Sequence, residues 1–107
     1  MAHVIISYRL APGVTREAFE DWGRSKDQPA MRSLARVASF ETYRVTGHLL
    51  GDSGGGGNAE GRYVELFDIT DLAGFTGEDM PGALVQGVMG EFMQFVADPE
   101  FLIAEQV

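Results

Sequence analysis

Arg62-Tyr63-Val64-Glu65-Leu66-Phe67-Asp68-Ile69, closed by Thr70-Asp71, decides the fold. Its β-branched and aromatic residues predict a strand. Before it, Gly51-Asp52-Ser53-Gly54-Gly55-Gly56-Gly57-Asn58-Ala59-Glu60-Gly61 has nothing to bury and great backbone freedom, so 51–61 is expected to be a flexible surface loop. Further upstream, from Val37 to about Leu50, Phe40, Thr42, Arg44, Thr46 and His48 alternate with Ser39, Glu41, Tyr43 and Val45. That period of two predicts a long strand. Two strands joined through a glycine loop make an antiparallel pair.

The outer segments repeat one scheme on each side of that pair. His3 to Leu10 is rich in β-branched and aromatic residues and stops at Pro12-Gly13, which predicts a first strand and a turn. Thr15 is a plausible N-cap, and Val14 can staple onto Phe19, so an amphipathic helix with Trp22 facing the body is expected. Asp27-Gln28-Pro29 is expected to break that helix before a single turn at 30–34. Downstream, Asp71 can cap a short segment, 78–82 makes a bend, and a main helix runs through about 83–96 with Leu84, Val85, Val88, Met89 and Phe92 in its apolar stripe. Asp98-Pro99 should end it, and Phe101 to Glu105 should form the last strand.

Strand, helix, strand, strand, helix, strand is the ferredoxin-like split unit: an α+β fold with a four-stranded antiparallel sheet, here one domain over residues 1–107. Its helices cover one face only. Apolar residues on both faces of the strands then call for a second sheet, and the expected assembly is a homodimer forming a dimeric α/β barrel.

Composition narrows the function. Sixteen acidic residues against eight basic give a formal net charge of −8, which opposes binding to nucleic acid phosphates. No cysteine is present to supply a thiolate nucleophile or metal ligand, and two distant histidines form no metal-binding spacing, so neither a metal nor another cofactor is expected. No apolar run approaches the roughly 20 residues of a membrane helix, and no targeting segment is evident at the start, so the expected location is cytoplasmic, away from membranes.

Across His3 to Leu10, the Trp22 helix, Tyr43-Arg44-Val45, Tyr63-Val64-Glu65-Leu66 and Asp98-Pro99-Glu100-Phe101, the chain resembles the REDY-like proteins that include HapK. The likeness covers nearly the whole length. It implies the dimeric α/β-barrel superfamily, and a link to secondary metabolism and prodiginine biosynthesis, hence an aromatic nitrogen heterocycle as one substrate class.

Individual residues suggest a site. His48 shares strand parity with Arg44, which would put a titratable base beside a cation, whereas His3 is expected at a surface or interface. Tyr43, Tyr63 and Glu65 lie on strands that should pair. Glu65, an acid in an otherwise apolar strand, is either a proton-transfer group on a pocket wall or a salt-bridge partner of Arg44 or Arg62. Met80, Met89, Met93, Phe92 and Phe95 form either plain core or an adaptable cleft, completed by Trp22 and with Asp79 near its mouth. Gly51-Asp52-Ser53-Gly54-Gly55 copies the local motif of a chymotrypsin-like nucleophile but lacks that fold around it.

These features lead to a cofactor-independent cyclase, dehydratase or isomerase acting on a small aromatic or heterocyclic ligand. In it His48 or Glu65 moves the proton, Tyr43 and Arg44 hold an oxygen, and Trp22, Asp79, Met89 and Phe92 bind the substrate. A cofactor-free monooxygenase and a non-catalytic binding or carrier protein are the alternatives.

Overall fold

β2 (Val37–Arg44) and β3 (Arg62–Ile69) form the expected antiparallel pair, with Phe40 opposite Phe67 and Thr42 opposite Glu65. The computed structural model describes residues 1–51 and 59–107. Most of the expected loop 51–61, including the Asp52-Ser53 motif, therefore lies outside the described residues. β1 (Ala2–Leu10) pairs antiparallel with β3, and β4 (Val96–Glu105) with β1, giving the sheet order β2-β3-β1-β4 of a ferredoxin-like α+β fold.

β2 stops at Arg44 rather than near Leu50. Its partner β3 begins only at Arg62, opposite which Val45 makes a backbone bond (Val45 N to Arg62 O, 2.9 Å), so no described strand residue remains for 46–50 to pair with. His48 is thus beyond the sheet, and strand parity with Arg44 does not extend to it.

Thr15 caps α1 (Arg16–Trp22) by accepting from Ala18 N at 3.2 Å, as its position predicts. The break expected at Asp27-Gln28-Pro29 is instead a widened turn. Gly23–Asp27 forms one π-helical turn, with Gln28 N–H bonded back to Gly23 O, and the helix continues as α2 (Gln28–Arg32). In an α-helix the Pro29 ring would collide with the carbonyl four residues earlier; widening the turn gives it room and keeps the helix running. The extra residue also turns Asp27 inward, where it is only 5% exposed.

A second π-helical turn, Phe75–Asp79, follows the short α3 (Leu72–Gly74), which Asp71 caps through Gly74 N at 3.0 Å. Arg36 ties this segment down: it donates to Asp71 Oδ2 (3.3 Å), Glu78 Oε2 (2.7 Å) and Asp79 Oδ1 (3.1 Å). Gly74 lets the guanidinium approach, since a Cβ there would stand 2.3 Å from Arg36 Nε. Arg36→Ala should accelerate amide hydrogen exchange across residues 75–80 while leaving α4 protected; unchanged exchange would show that the clamp does not hold the segment.

α4 (Ala83–Phe95) ends three residues before Asp98-Pro99, and β4 begins at once, so the helix end expected at Asp98-Pro99 is corrected. Asp98 has φ +51° and lies where the β1–β4 register shifts between Ser7 and Arg9. Pro99 is accommodated because β4 is an edge strand with a bulge, where a missing N–H breaks no ladder bond. On the other edge, the Phe40 carbonyl of β2 accepts from Arg32 Nε (3.1 Å) and Nη2 (2.9 Å).

All helices cover one face of the sheet. There Phe19, Phe40, Tyr63 and Ile69 are the largest fully buried side chains, and Tyr8 stacks on Tyr63 with centroids 5.9 Å apart. On the opposite face Leu66 lies opposite Ile5, and Ile5 opposite Leu102; Leu66 and Leu102 are 40% and 48% exposed. Beside this apolar row Ser39 Oγ donates to Asp68 Oδ2 (2.6 Å), and His3 Nδ1 stands 2.6 Å from Asp68 Oδ1. No described helix is long and apolar enough to cross a membrane.

Candidate active site

Between the sheet and α4 lies a cavity of about 200 Å³. Val4, Ile6, Glu65 and Phe67 form its sheet side, because β1 even positions and β3 odd positions point toward the helices. Val85, Val88, Met89 and Phe92 of α4 lie opposite, and the two widened turns supply Asp27 at one flank and Phe75 and Thr76 at another. Phe101 and Ile103 of β4 also line it.

Carbon and sulfur make up nearly all of this wall, and Glu65 is buried in it at 3% exposure. The Tyr8 hydroxyl donates to Glu65 Oε2 over 2.5 Å. Burial, and then the nearby Asp27 charge, push the Glu65 carboxyl up to about 8 against the lowering effect of the Tyr8 bond. Burial alone pushes Asp27 up to about 6. Tyr8 is raised by burial first and by Glu65 second, so it remains a proton donor. A carboxyl whose pKa lies near neutrality in a dry pocket can both give and take a proton.

Of the residues singled out in the sequence, the fold brings Glu65, Met80, Met89 and Phe92 together in this cavity. Tyr43 is 51% exposed on the opposite sheet face, since it is one residue out of phase with Thr42 and Arg44. Arg44 lies in a separate, more polar pocket, where Nε donates to Glu20 Oε2 (2.7 Å) and the Tyr63 hydroxyl reaches the same oxygen (2.6 Å). The Arg44 bond is the main reason that Glu20 is held down at about 2. Trp22 packs on Phe95 with centroids 5.1 Å apart, and its indole N–H points to Glu91 (3.3 Å). Asp79 is engaged by Arg36, and neither it nor His48 lines the cavity.

The salt bridge weighed for Glu65 is absent, its partner being Tyr8. Two residues of the site were not picked out from the sequence. Tyr8 had a usable signal, being on the same strand face as Ile6. Asp27 had none, because a polar residue two places before proline reads as a helix end. Asp27 also borders the polar pocket of Glu20 and Arg44, so it stands between the two spaces. Among the described residues no group of three or more His, Cys, Asp or Glu is placed to hold a metal ion.

HapK from Hahella chejuensis has a closely similar structure, with 29% sequence identity, a TM-score of 0.77, and coverage of 100% of this chain and 93% of that one. An ethyl tert-butyl ether d (ethd) family protein from Bacillus halodurans (17% identity, TM-score 0.69, all of both chains) shares the fold. So does a putative antibiotic biosynthesis monooxygenase from Bordetella bronchiseptica (17%, TM-score 0.69, 99% of this chain and 96% of that one). A local match to an extracellular metalloprotease of Aspergillus oryzae reaches 46% identity over 43 residues, which is 40% of this chain but only 13% of that protein. The family model described as REDY-like protein HapK matches residues 2–107, and with the whole fold accounted for the chain belongs to that REDY-like HapK family.

Proposed function

We propose that the protein is a biosynthetic enzyme that takes a small aromatic or heterocyclic molecule into the cavity above the sheet and transfers a proton to or from it through Glu65, in a cyclisation, dehydration or isomerisation. The observation that carries this reading is one buried carboxyl, hydrogen-bonded by Tyr8 and facing an otherwise apolar space. Tyr8 fixes the orientation of Glu65, and the phenol bond steadies the carboxylate when the proton leaves. Met89 and Phe92 hold the ring by contact. The family membership supports a role in small-molecule biosynthesis or binding.

The test starts from the ligand retained by protein purified from its own host and identified by native mass spectrometry. Incubated in deuterated water, that ligand should acquire deuterium with the wild-type protein, and Glu65→Gln should slow the exchange about 100-fold or more. Undiminished exchange in Glu65→Gln would rule out this acid-base role. A ligand bound and released with no exchange would make the protein a carrier.

We further propose that two copies pair through their open sheet faces. The apolar row of Leu66, Ile5 and Leu102 supports this, since monomeric surfaces seldom leave such a strip facing water. Light scattering should report twice the chain mass for the wild type and a monomer for Leu66→Asp combined with Leu102→Asp; a wild-type monomer would refute the pairing.

A further inference from the structure

The cavity's polar groups are lopsided. Asp27 and Glu65 are both more than nine-tenths buried, and among the described residues the only other polar side chain on the wall is the Thr76 hydroxyl. Among the described residues no lysine, arginine or histidine lines it. A carboxylate or phosphate on a ligand would meet only acidic groups there, with no cation to offset its desolvation. Burial is the one cause that raises Asp27, with no hydrogen bond to offset it, and its carboxyl faces the cavity. The site is thus rich in acceptors and short of donors.

We infer that the ligand enters with a protonated nitrogen, an amine, iminium or amidine on an apolar ring system, and that Asp27 and Glu65 together receive that charge. The inference rests on the proposed ligand-binding role of the cavity and names the chemistry of what it binds. Two carboxyls close together in an apolar space cannot both ionise cheaply, as their mutual repulsion adds to the cost of burial. A cation shared between them removes both penalties and supplies the N–H donors that Asp27 lacks. The ring system then lies along α4, against Val88, Met89 and Phe92.

Proton release follows. Without ligand, burial pushes both carboxyls upward, Glu65 to about 8 and Asp27 to about 6, so near neutral pH Glu65 keeps its proton while Asp27 is largely ionised. Tyr8, from β1, faces Glu65 as a neutral donor, and α4 and β4 present no titratable side chain to the cavity; on its other side Asp27 shares the polar pocket with Glu20, Arg24, Arg44 and Tyr63. A bound cation favours the ionised forms, and the displaced protons pass to the buffer.

Calorimetry with three probes of one shape, naphthylmethylamine, naphthalenemethanol and naphthoate, tests this on the full chain. The amine should bind at least about tenfold more tightly than the alcohol, and naphthoate more weakly than either. Amine binding alone should show a heat that depends on the ionisation enthalpy of the buffer, the sign of proton release. Asp27→Asn should reduce both the amine preference and the released protons while still binding the alcohol, which shows that the variant is folded. Equal binding of amine and alcohol, or tightest binding of naphthoate, would overturn the cation assignment and leave the cavity reading standing. Binding of none of the three by the folded wild type would overturn the cavity reading and the inference with it.

Discussion

Glu65→Gln should be markedly more stable than the wild type at pH 9 and nearly equal to it at pH 4. In the folded chain Glu65 keeps its proton up to about pH 8, whereas its ordinary value is 4.5. Between those two values the native state binds more protons than the unfolded state, so stability falls as pH rises. Above the folded value the loss is complete; below the unfolded value both states are protonated and nothing is lost. Asp27 adds a smaller loss of the same sign, between its ordinary 3.8 and about 6. Glutamine cannot ionise, yet its carbonyl still accepts the Tyr8 hydroxyl. The gain at pH 9 should be on the order of 3 kcal/mol, which raises the melting temperature by about 10 °C or more. Circular dichroism melts at the two pH values would check it, and a variant no more stable than wild type at pH 9 would show that Glu65 is not held protonated by its surroundings.

Phe40→Ala should cost about 3–5 kcal/mol at any pH. Phe40 has no exposed surface and stacks on Phe67 with centroids 4.3 Å apart, so the deleted ring leaves a hole that its neighbours cannot close. Met89→Ala, by contrast, should cost less than about 2 kcal/mol, because Met89 already borders open space and is only partly buried against the core. Urea denaturation of the two variants measures the difference. Equal costs would mean that the space beside Met89 is closed in solution and that the binding site lies elsewhere.

The strands of the sheet were readable because they depend on period-two patterns and turn residues that sit close together in the chain. Glu65 was readable for a related reason: an acid among Tyr63, Val64, Leu66 and Phe67 must be partnered or unusual. Its partner was not. Tyr8 is 57 positions away, and only the pairing of Tyr8 opposite Tyr63 and Ile6 opposite Glu65 brings the hydroxyl to the carboxyl. Asp27 was hidden by its own neighbours, since proline usually ends a helix and here only widens one turn. Strand alternation through His48 was a real pattern, but among the described residues no partner strand realises it. Trp22 faces the body as expected, but the exact rotation of α1 sets it on Phe95 rather than on the cavity.

The two outer strands carry a further consequence. At one border of the sheet, Pro99 and the left-handed Asp98 spoil the line of backbone donors; at the other, Arg32 already occupies the Phe40 carbonyl. Neither border offers an intact template on which another molecule could extend the ladder. Edge-to-edge growth into fibrils is therefore disfavoured at both rims, and the two-fold contact proposed for the broad apolar face would use up its own surface and stop at a finite size.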